Sequence, residues 1–200
     1  MAGSVRVSSR FTPYVDSAGP ISYKPGVEGR IRGGLDGLVG ASQVSLGFTY
    51  STFGDDQFGV ATTARGLYRP GPRWLAEFAL VAPVGNSRFN LSVWNFHRNA
   101  GDTTGASAKN RENLAAAEAS VSIPLTVGLD FEPLVSGRLS KPQLGKGAMA
   151  GAGFALRIRL SDWLSLSPTA RYDTGWVESE SGVRNHLRGG YASTFLRASF

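Results

Sequence analysis

The groups able to do chemistry in this chain are mostly arginines and carboxylates, and they recur at every second residue. Glu28, Arg30 and Arg32 form one such run; Asp130 and Glu132, Arg157 and Arg159, and Arg171 and Asp173 form others. Successive side chains of a β-strand point to opposite faces, so charges two residues apart share a face. Gathered on one surface, guanidinium and carboxylate groups either pair into a network or face water and bias the passage of ions. Other reactive groups are sparse. There are two histidines, His97 and His186, and no cysteine, which excludes disulfides and thiolate metal sites. Asp55-Asp56 and Glu178-Ser179-Glu180 lack the ordered oxygen-ligand spacing of a calcium loop and read as solvated loop. The glycine-rich MAGAGFA stretch opens no helix and carries no Lys-Ser/Thr pair, so it is not a phosphate loop. Its glycines read as relief of crowding. No catalytic, cofactor-binding or metal-binding residue follows from spacing alone.

The elements that must carry these groups have a period of two, not 3.6. Val27, Gly29, Ile31, Gly33 and Leu35 oppose Glu28, Arg30, Arg32 and Asp36. Val44, Leu46, Phe48 and Tyr50 oppose Ser45, Gly47, Thr49 and Ser51. Phe58, Val60, Thr62 and Ala64 oppose Ala61, Thr63 and Arg65. The same alternation sets Trp74, Phe78 and Leu80 against Glu77, and Ala117, Ala119 and Val121 against Glu118 and Ser120. It sets Leu129 and Val135 against Asp130, Glu132 and Arg138, and Phe154, Leu156 and Ile158 against Arg157 and Arg159. Leu164, Leu166 and Tyr172 oppose Arg171 and Asp173, and Leu196, Ala198 and Phe200 oppose Arg197. Trp94 and Phe96 interrupt the pattern at the end of one strand. Near the start, Val5, Val7 and Phe11 oppose Arg6 and Arg10.

A soluble β-sandwich with one solvated face produces the same alternation, so the placement of charge decides. Charges fall on the polar parity, among Ser, Thr and Gly, as in a crowded barrel lumen. Lysine is scarce, and Lys24, Lys109, Lys141 and Lys146 fall in expected loops. The alternating segments approach the ~9–11 residues that cross a bilayer at a tilt, while no run reaches the ~20 apolar residues of a membrane helix. The expected fold is therefore all-β: a transmembrane up-and-down antiparallel barrel of about 10–12 strands. A net charge of +6 invites nucleic acid, but the arginines are dispersed at alternating positions rather than clustered, which argues against it. The chain reads as one domain over residues 1–200, with 1–24 either an irregular segment or a first strand. No basic and apolar leader precedes it, so an exported protein would be represented here in its mature form.

Connections fit an up-and-down order. Short ones fall at Pro124-Leu125-Thr126, Ser161-Asp162, the RPGPR run and Pro83-Val84-Gly85-Asn86. Longer polar ones span roughly Arg98 to Glu112, Ser140 to Gly147 and Glu178 to Leu187, and should lie outside the cell. Trp74, Trp163, Trp176, Tyr68 and Tyr172 sit at strand ends, where aromatic girdles form. About eleven segments result, and RPGPR falls on the wrong side for an even-stranded barrel.

The final strand, Tyr191-Ala-Ser-Thr-Phe-Leu-Arg-Ala-Ser-Phe200, resembles the terminal strand of Gram-negative outer-membrane β-barrel proteins, which end in Phe after alternating apolar residues. Ala198 departs from the bulkier residue common there. The hairpin from Leu156 to Tyr172 also looks like that superfamily. The resemblance implies an outer-membrane location, contact with membrane lipid and lipopolysaccharide, and reading of Phe200 by the barrel-assembly machinery. Barrel enzymes of this class use a histidine with Ser, Asp or Glu, and His97 and His186 lie near extracellular strand ends, though in no such motif. Inward-facing residues are expected to be Arg6, Arg10, Arg30, Arg32, Arg65, Arg138, Arg157, Arg159, Arg171 and Arg197. Glu28, Asp36, Glu77, Glu118, Asp130, Glu132 and Asp173 would face them. Either they line a narrow, passive, anion-preferring channel without a cofactor, or they pair and close the barrel, leaving a structural or partner-binding protein. A lipid-modifying enzyme is a third reading, with a non-enzyme expected.

Overall fold

The period-two pattern becomes strand throughout the described residues, which in this computed structural model are 2–6, 11–16, 19–60, 63–103, 106–108, 111–141 and 145–198. The strands are β1 (Ala2–Arg6), β2 (Phe11–Asp16), β3 (Gly19–Lys24), β4 (Glu28–Val39), β5 (Ser42–Phe53), β6 (Asp56–Val60), β7 (Thr63–Arg69) and β8 (Arg73–Val84). They continue with β9 (Ser87–Arg98), β10 (Gly101–Thr103), β11 (Ala106–Ala108), β12 (Glu112–Thr126), β13 (Leu129–Ser140), β14 (Gly145–Arg159), β15 (Leu164–Ser179) and β16 (Arg184–Ala198). A ten-stranded sheet runs in the order β1-β4-β5-β8-β9-β12-β13-β14-β15-β16, with every neighbour antiparallel. The described registers leave β1 and β16 as its two edges. A second, six-stranded sheet, β11-β10-β7-β6-β3-β2, is built from extensions of the same strands beyond one end of the first.

This arrangement corrects the strand count and resolves its parity. The segment from Phe58 to Arg65 is not one strand: β6 and β7 pair with each other, so it is the tip of a hairpin in the smaller sheet. No Gly, Pro, Asn or Asp stands between Val60 and Ala64 to signal the reversal. Removing it leaves ten strands in the larger sheet. The RPGPR run is likewise no turn. Pro70, Gly71 and Pro72 form a break where the chain passes from β7 to β8, because proline cannot donate to a ladder. Pro25-Gly26-Val27, Gly54-Asp55 and Asn99-Ala100 are breaks of the same kind, stitched by Gly54 N–H to Val27 O at 2.8 Å and Asn99 N–H to Pro72 O at 3.0 Å. The stretch from Arg98 to Glu112 holds the β10–β11 hairpin rather than plain loop. Lys24 and Lys146 lie in β3 and β14, not in loops.

Burial settles sandwich against barrel. Among the described residues no hydrophobic side chain is buried, whereas Glu28, Ser51, Ser120 and Glu132 are. Leu35 is 73% exposed, Leu38 77% and Leu196 65%. A sandwich would cover these residues with a second sheet, yet every substantial strand contact is between ladder neighbours. Exposed large hydrophobes with buried polar groups are the inverse of a water-soluble domain. Hydrocarbon is the medium in which that inversion is stable. Across the outward face, Leu35, Leu46, Phe78 and Val93 lie in one register row, and Val44, Leu80, Leu91 and Ala119 in another. On β8 this face runs from Trp74 to Ala82, about 27 Å of strand or roughly 20 Å of height at a 40° tilt. Aromatics cluster toward both ends. Trp74 stacks on His97 at 5.4 Å and on Phe48 at 6.5 Å, and Phe131 meets Phe154 at 6.0 Å.

Two glycines test this geometry. Gly85 turns the β8–β9 hairpin at a φ of 60°, with nothing near its missing side chain. A Cβ on Gly71 would overlap the carbonyl oxygens of Asn99 and Ala100 at the break between sheets. Urea titration of refolded protein should therefore show Gly85→Ala losing about 1–2 kcal/mol from left-handed strain alone. Gly71→Ala should lose more, because backbone must move. Equal, negligible losses would contradict the described breaks.

Candidate functional site

The registers place nearly all charge of the ten-stranded sheet on one face. Asp36, Ser45, Ala79, Ser92, Glu118, Ser136, Gly151, Asp173 and Gly189 form one row straight across β4 to β16. Toward the end that carries the smaller sheet, Ser4, Arg30, Ser51, Arg73, Arg98 and Glu112 form another row. Between those two rows run Arg32, Thr49, Leu75 and Phe96. Trp94 and Phe96, which interrupt the sequence pattern, point to this polar face and make an apolar strip within it.

Three clusters organise the face. At the first, Glu28 Oε1 accepts from Arg30 at 2.7 Å and from Arg73 at 2.9 Å, so two guanidinium groups converge on one carboxylate oxygen. Arg73 also lies over the Phe53 ring at 4.8 Å. Arg98 pairs with Glu112 at 3.1 Å nearby. At the second, Arg171 on β15 bonds Asp173 at 2.8 Å, Ser136 on β13 and Glu118 on β12 at 3.1 Å. That reach crosses three strand spacings, about 14 Å on a flat sheet. Such convergence marks the concave side of a curled sheet. It also needs Gly151: a Cβ there would overlap Asp173 Oδ1 and crowd the Arg171 guanidinium. At the third, Arg157 pairs with Glu132 at 2.6 Å, and Glu132 accepts from Ser120 Oγ at 2.6 Å, which in turn accepts from Asn90 at 3.3 Å.

Of the residues expected to point inward, Arg30, Arg32, Glu77, Glu118, Asp130, Glu132, Arg138, Arg157, Arg159, Arg171, Asp173 and Arg197 all share this face. Arg65 does not join them, since β7 belongs to the six-stranded sheet. Phe200 lies outside the described residues. Four residues of this face escape the sequence reading: Arg73, Arg98 and Glu112 fall in its turns and loops, and Arg88 falls between a turn and the strand after it. Arg73 is on the parity of Glu77, and Arg98 on that of Ser92, so extending the alternation past the apparent turn finds both. With them, arginines outnumber carboxylates on the face. Arg32, Arg88, Arg138, Arg159 and Arg197, and the carboxylates Asp36, Glu77 and Asp130, have no ion pair among the described residues.

Two cavities open on this face. One, of about 500 Å³, is lined by Gly33, Gly34, Asp36, Ser45, Gly47 and their neighbours. The other, of about 420 Å³, is lined by Arg30, Thr49, Ser51, Arg73 and their neighbours. Arg32 and Glu77 border both. The histidines sit elsewhere. His97 is on the outward parity, stacked on Trp74 and hydrogen-bonded to Asn99 at 3.0 Å; His186 is opposite Trp176. Among the described residues no three acidic or histidine side chains converge as metal ligands do.

Among the described residues the outward parity carries charge only on β14, β15 and β16, and one of these charges, Arg188, continues the register row of Leu35, Leu46, Phe78 and Val93. Glu178 bonds Lys146 at 3.1 Å and Arg184 at 3.0 Å, Arg184 stacks on Trp176 at 4.2 Å, and Arg188 pairs in register with Thr174. Glu178 is thus an ion-paired strand residue, not a solvated loop. The Asp55-Asp56 pair has its own structural work. Asp55 bonds Arg69 at 2.7 Å, and Asp56 accepts from Tyr23 at 2.8 Å and from Gly26 N–H at 2.6 Å, tying the break to the smaller sheet. Burial, with the bond to Asp56, pushes the Tyr23 phenol from 10.0 up to about 12. Hydrogen bonds from Arg69 hold Asp55 below the usual carboxylate range.

The fold and its site define a class: an up-and-down antiparallel β-barrel of transmembrane type. No family model matches the chain, and no curated protein matches it. Among solved structures it is similar to the outer-membrane expressed OmpT of Vibrio cholerae, with a TM-score of 0.54 and 11% sequence identity. The match covers 94% of this chain and 61% of that one, so the chain spans about three fifths of its neighbour's length. At that identity the likeness is one of fold.

Two measurements probe the site. Gly151→Leu should expel Arg171 from its partners and destabilise the protein by about 2 kcal/mol or more, since it strands half-buried charge. Gly189→Leu, in the same row but with nothing near its missing side chain, should be milder. In ultraviolet titration, the difference between the wild type and Tyr23→Phe should be one phenol ionising near pH 12. A raised folded pKa means that the Tyr23 contribution is complete below pH 10 and is lost as pH rises towards 12. A difference spectrum titrating at pH 10 would contradict the Tyr23–Asp56 bond.

Proposed function

We propose that this chain forms the wall of a passive outer-membrane channel, its charged concave face lining a narrow aqueous path with a mild preference for anions. The observation that supports it best is the arginine excess on that face, opposite an exposed apolar band. Part of the charge is held in ion pairs, which narrows the path; unpaired among the described residues are Arg32, Arg88, Arg138, Arg159 and Arg197 against Asp36, Glu77 and Asp130, and that surplus sets its sign. The two cavities lie along the same face. The apolar band would meet membrane lipid, and Lys146 and Arg184 on the outward parity would meet lipopolysaccharide phosphates. The resemblance of the last strand supports reading of Phe200 by the barrel-assembly machinery. No cofactor and no nucleic acid enter this reading.

A non-conducting barrel is the second reading, favoured by the Arg171 network, which spans β12 to β15 with little space between its members. The lipid-modifying enzyme has less behind it, because the His97 ring is engaged by Trp74 and Asn99 rather than by a carboxylate. Planar-bilayer recording separates the first two. Refolded protein in a potassium chloride gradient should give small steps whose reversal potential favours chloride. Folded protein that never conducts would leave the non-conducting reading standing.

A further inference from the structure

We infer that the upper cavity, bordered by Arg30, Arg32 and Arg73, is a binding station for a small oxyanion, a carboxylate or a phosphate group. This deepens the channel reading and rests on it for access from the aqueous path. The site is already shaped around such a group. Arg30, two residues along β4, and Arg73, reaching from β8 across β5, both donate to one oxygen of the protein's own Glu28, so two guanidinium groups are held facing one carboxylate. A guanidinium carries five donors, and these two each spend one on that oxygen. Ser51, only 2% exposed, lies between them in register, beside Thr49. Both offer hydroxyls at the wall.

Arg32 supplies the free charge. It stands one row from Arg30, its side chain makes no hydrogen bond or ion pair among the described residues, and it borders both cavities. An oxyanion entering from either cavity therefore meets an unpaired guanidinium first. Glu77 stands at the same junction. Gly47 leaves room for its carboxylate, since a Cβ there would come 3.3 Å from Glu77 Oε2. Three guanidiniums against Glu28 and Glu77 leave a single net positive charge, which suits a transit site: enough to attract an anion and too little to trap it. Arginine is the residue type that this planar, forked recognition requires.

Isothermal titration of the folded full chain in detergent micelles tests the station, with inorganic phosphate and acetate as probes and folding checked by circular dichroism. Binding of either probe that weakens roughly tenfold in Arg32→Gln, and partly in Arg32→Lys, is expected from loss of a charge-assisted fork. Glu77→Gln should tighten it several-fold, and Lys141→Gln, just past the end of β13, should leave it unchanged. The phosphate and acetate arms tell which oxyanion fits better. Binding that ignores Arg32→Gln, or no binding of either probe to folded wild type, overturns the station. Conductance without such binding rejects the station and leaves the channel; Arg32-dependent binding without conductance keeps the station and rejects the channel.

Discussion

Backbone amides and carbonyls cannot be left unpaired in hydrocarbon, and everything else in this molecule follows from that constraint. It forces the membrane-crossing chain into a continuous antiparallel ladder, with breaks gathered beyond the apolar band. Once the ladder is fixed, side chains can only point one way or the other. Lipid tolerates no charge at its middle, so the charged half of each strand is assigned to the concave face by default. The core of this protein is therefore polar, and its hydrophobic surface faces outward.

Placing so much charge on a concave face creates a second problem, since an unpaired ion in a narrow interior is costly. Small residues solve it. Gly151 and Ser136 let one arginine on β15 reach a glutamate on β12. Gly47 gives Glu77 space to lean across β5. The wall thereby divides into a tightly paired region around Arg171 and a looser one around Arg32, where the cavities lie. On the channel reading, function depends on the balance between them. If pairing dominated everywhere, the face would be a plug.

The sequence carried much of this in plain view, because a period of two survives any register. Parity alone gathered Arg30, Arg32, Glu118, Glu132, Arg157, Arg171 and Asp173 on one face, and the structure agrees at each position. What parity does not encode is where a strand ends. Prolines in RPGPR interrupt a ladder as well as they turn a chain, and the hairpin near Val60 reverses without a turn residue. Those two ambiguities produced the odd strand count and hid Arg73 and Arg98. Which arginine meets which carboxylate was also illegible. The Arg171–Glu118 pair crosses three strand spacings, and only register and curvature bring its members together.

The central claim is that one parity of each strand faces lipid and the other faces water. The chain has no cysteine, so single cysteines report without background. Reaction of a charged, membrane-impermeant thiol reagent with refolded protein in lipid vesicles is the direct measurement, read residue by residue from Val44 to Ser51 on β5. Cysteines at 45, 47 and 49 should react, those at 44, 46 and 48 should be protected, and the one at 51, where Ser51 is only 2% exposed, serves as a buried reference. Uniform reaction along the strand, or protection on the opposite parity, would contradict the account.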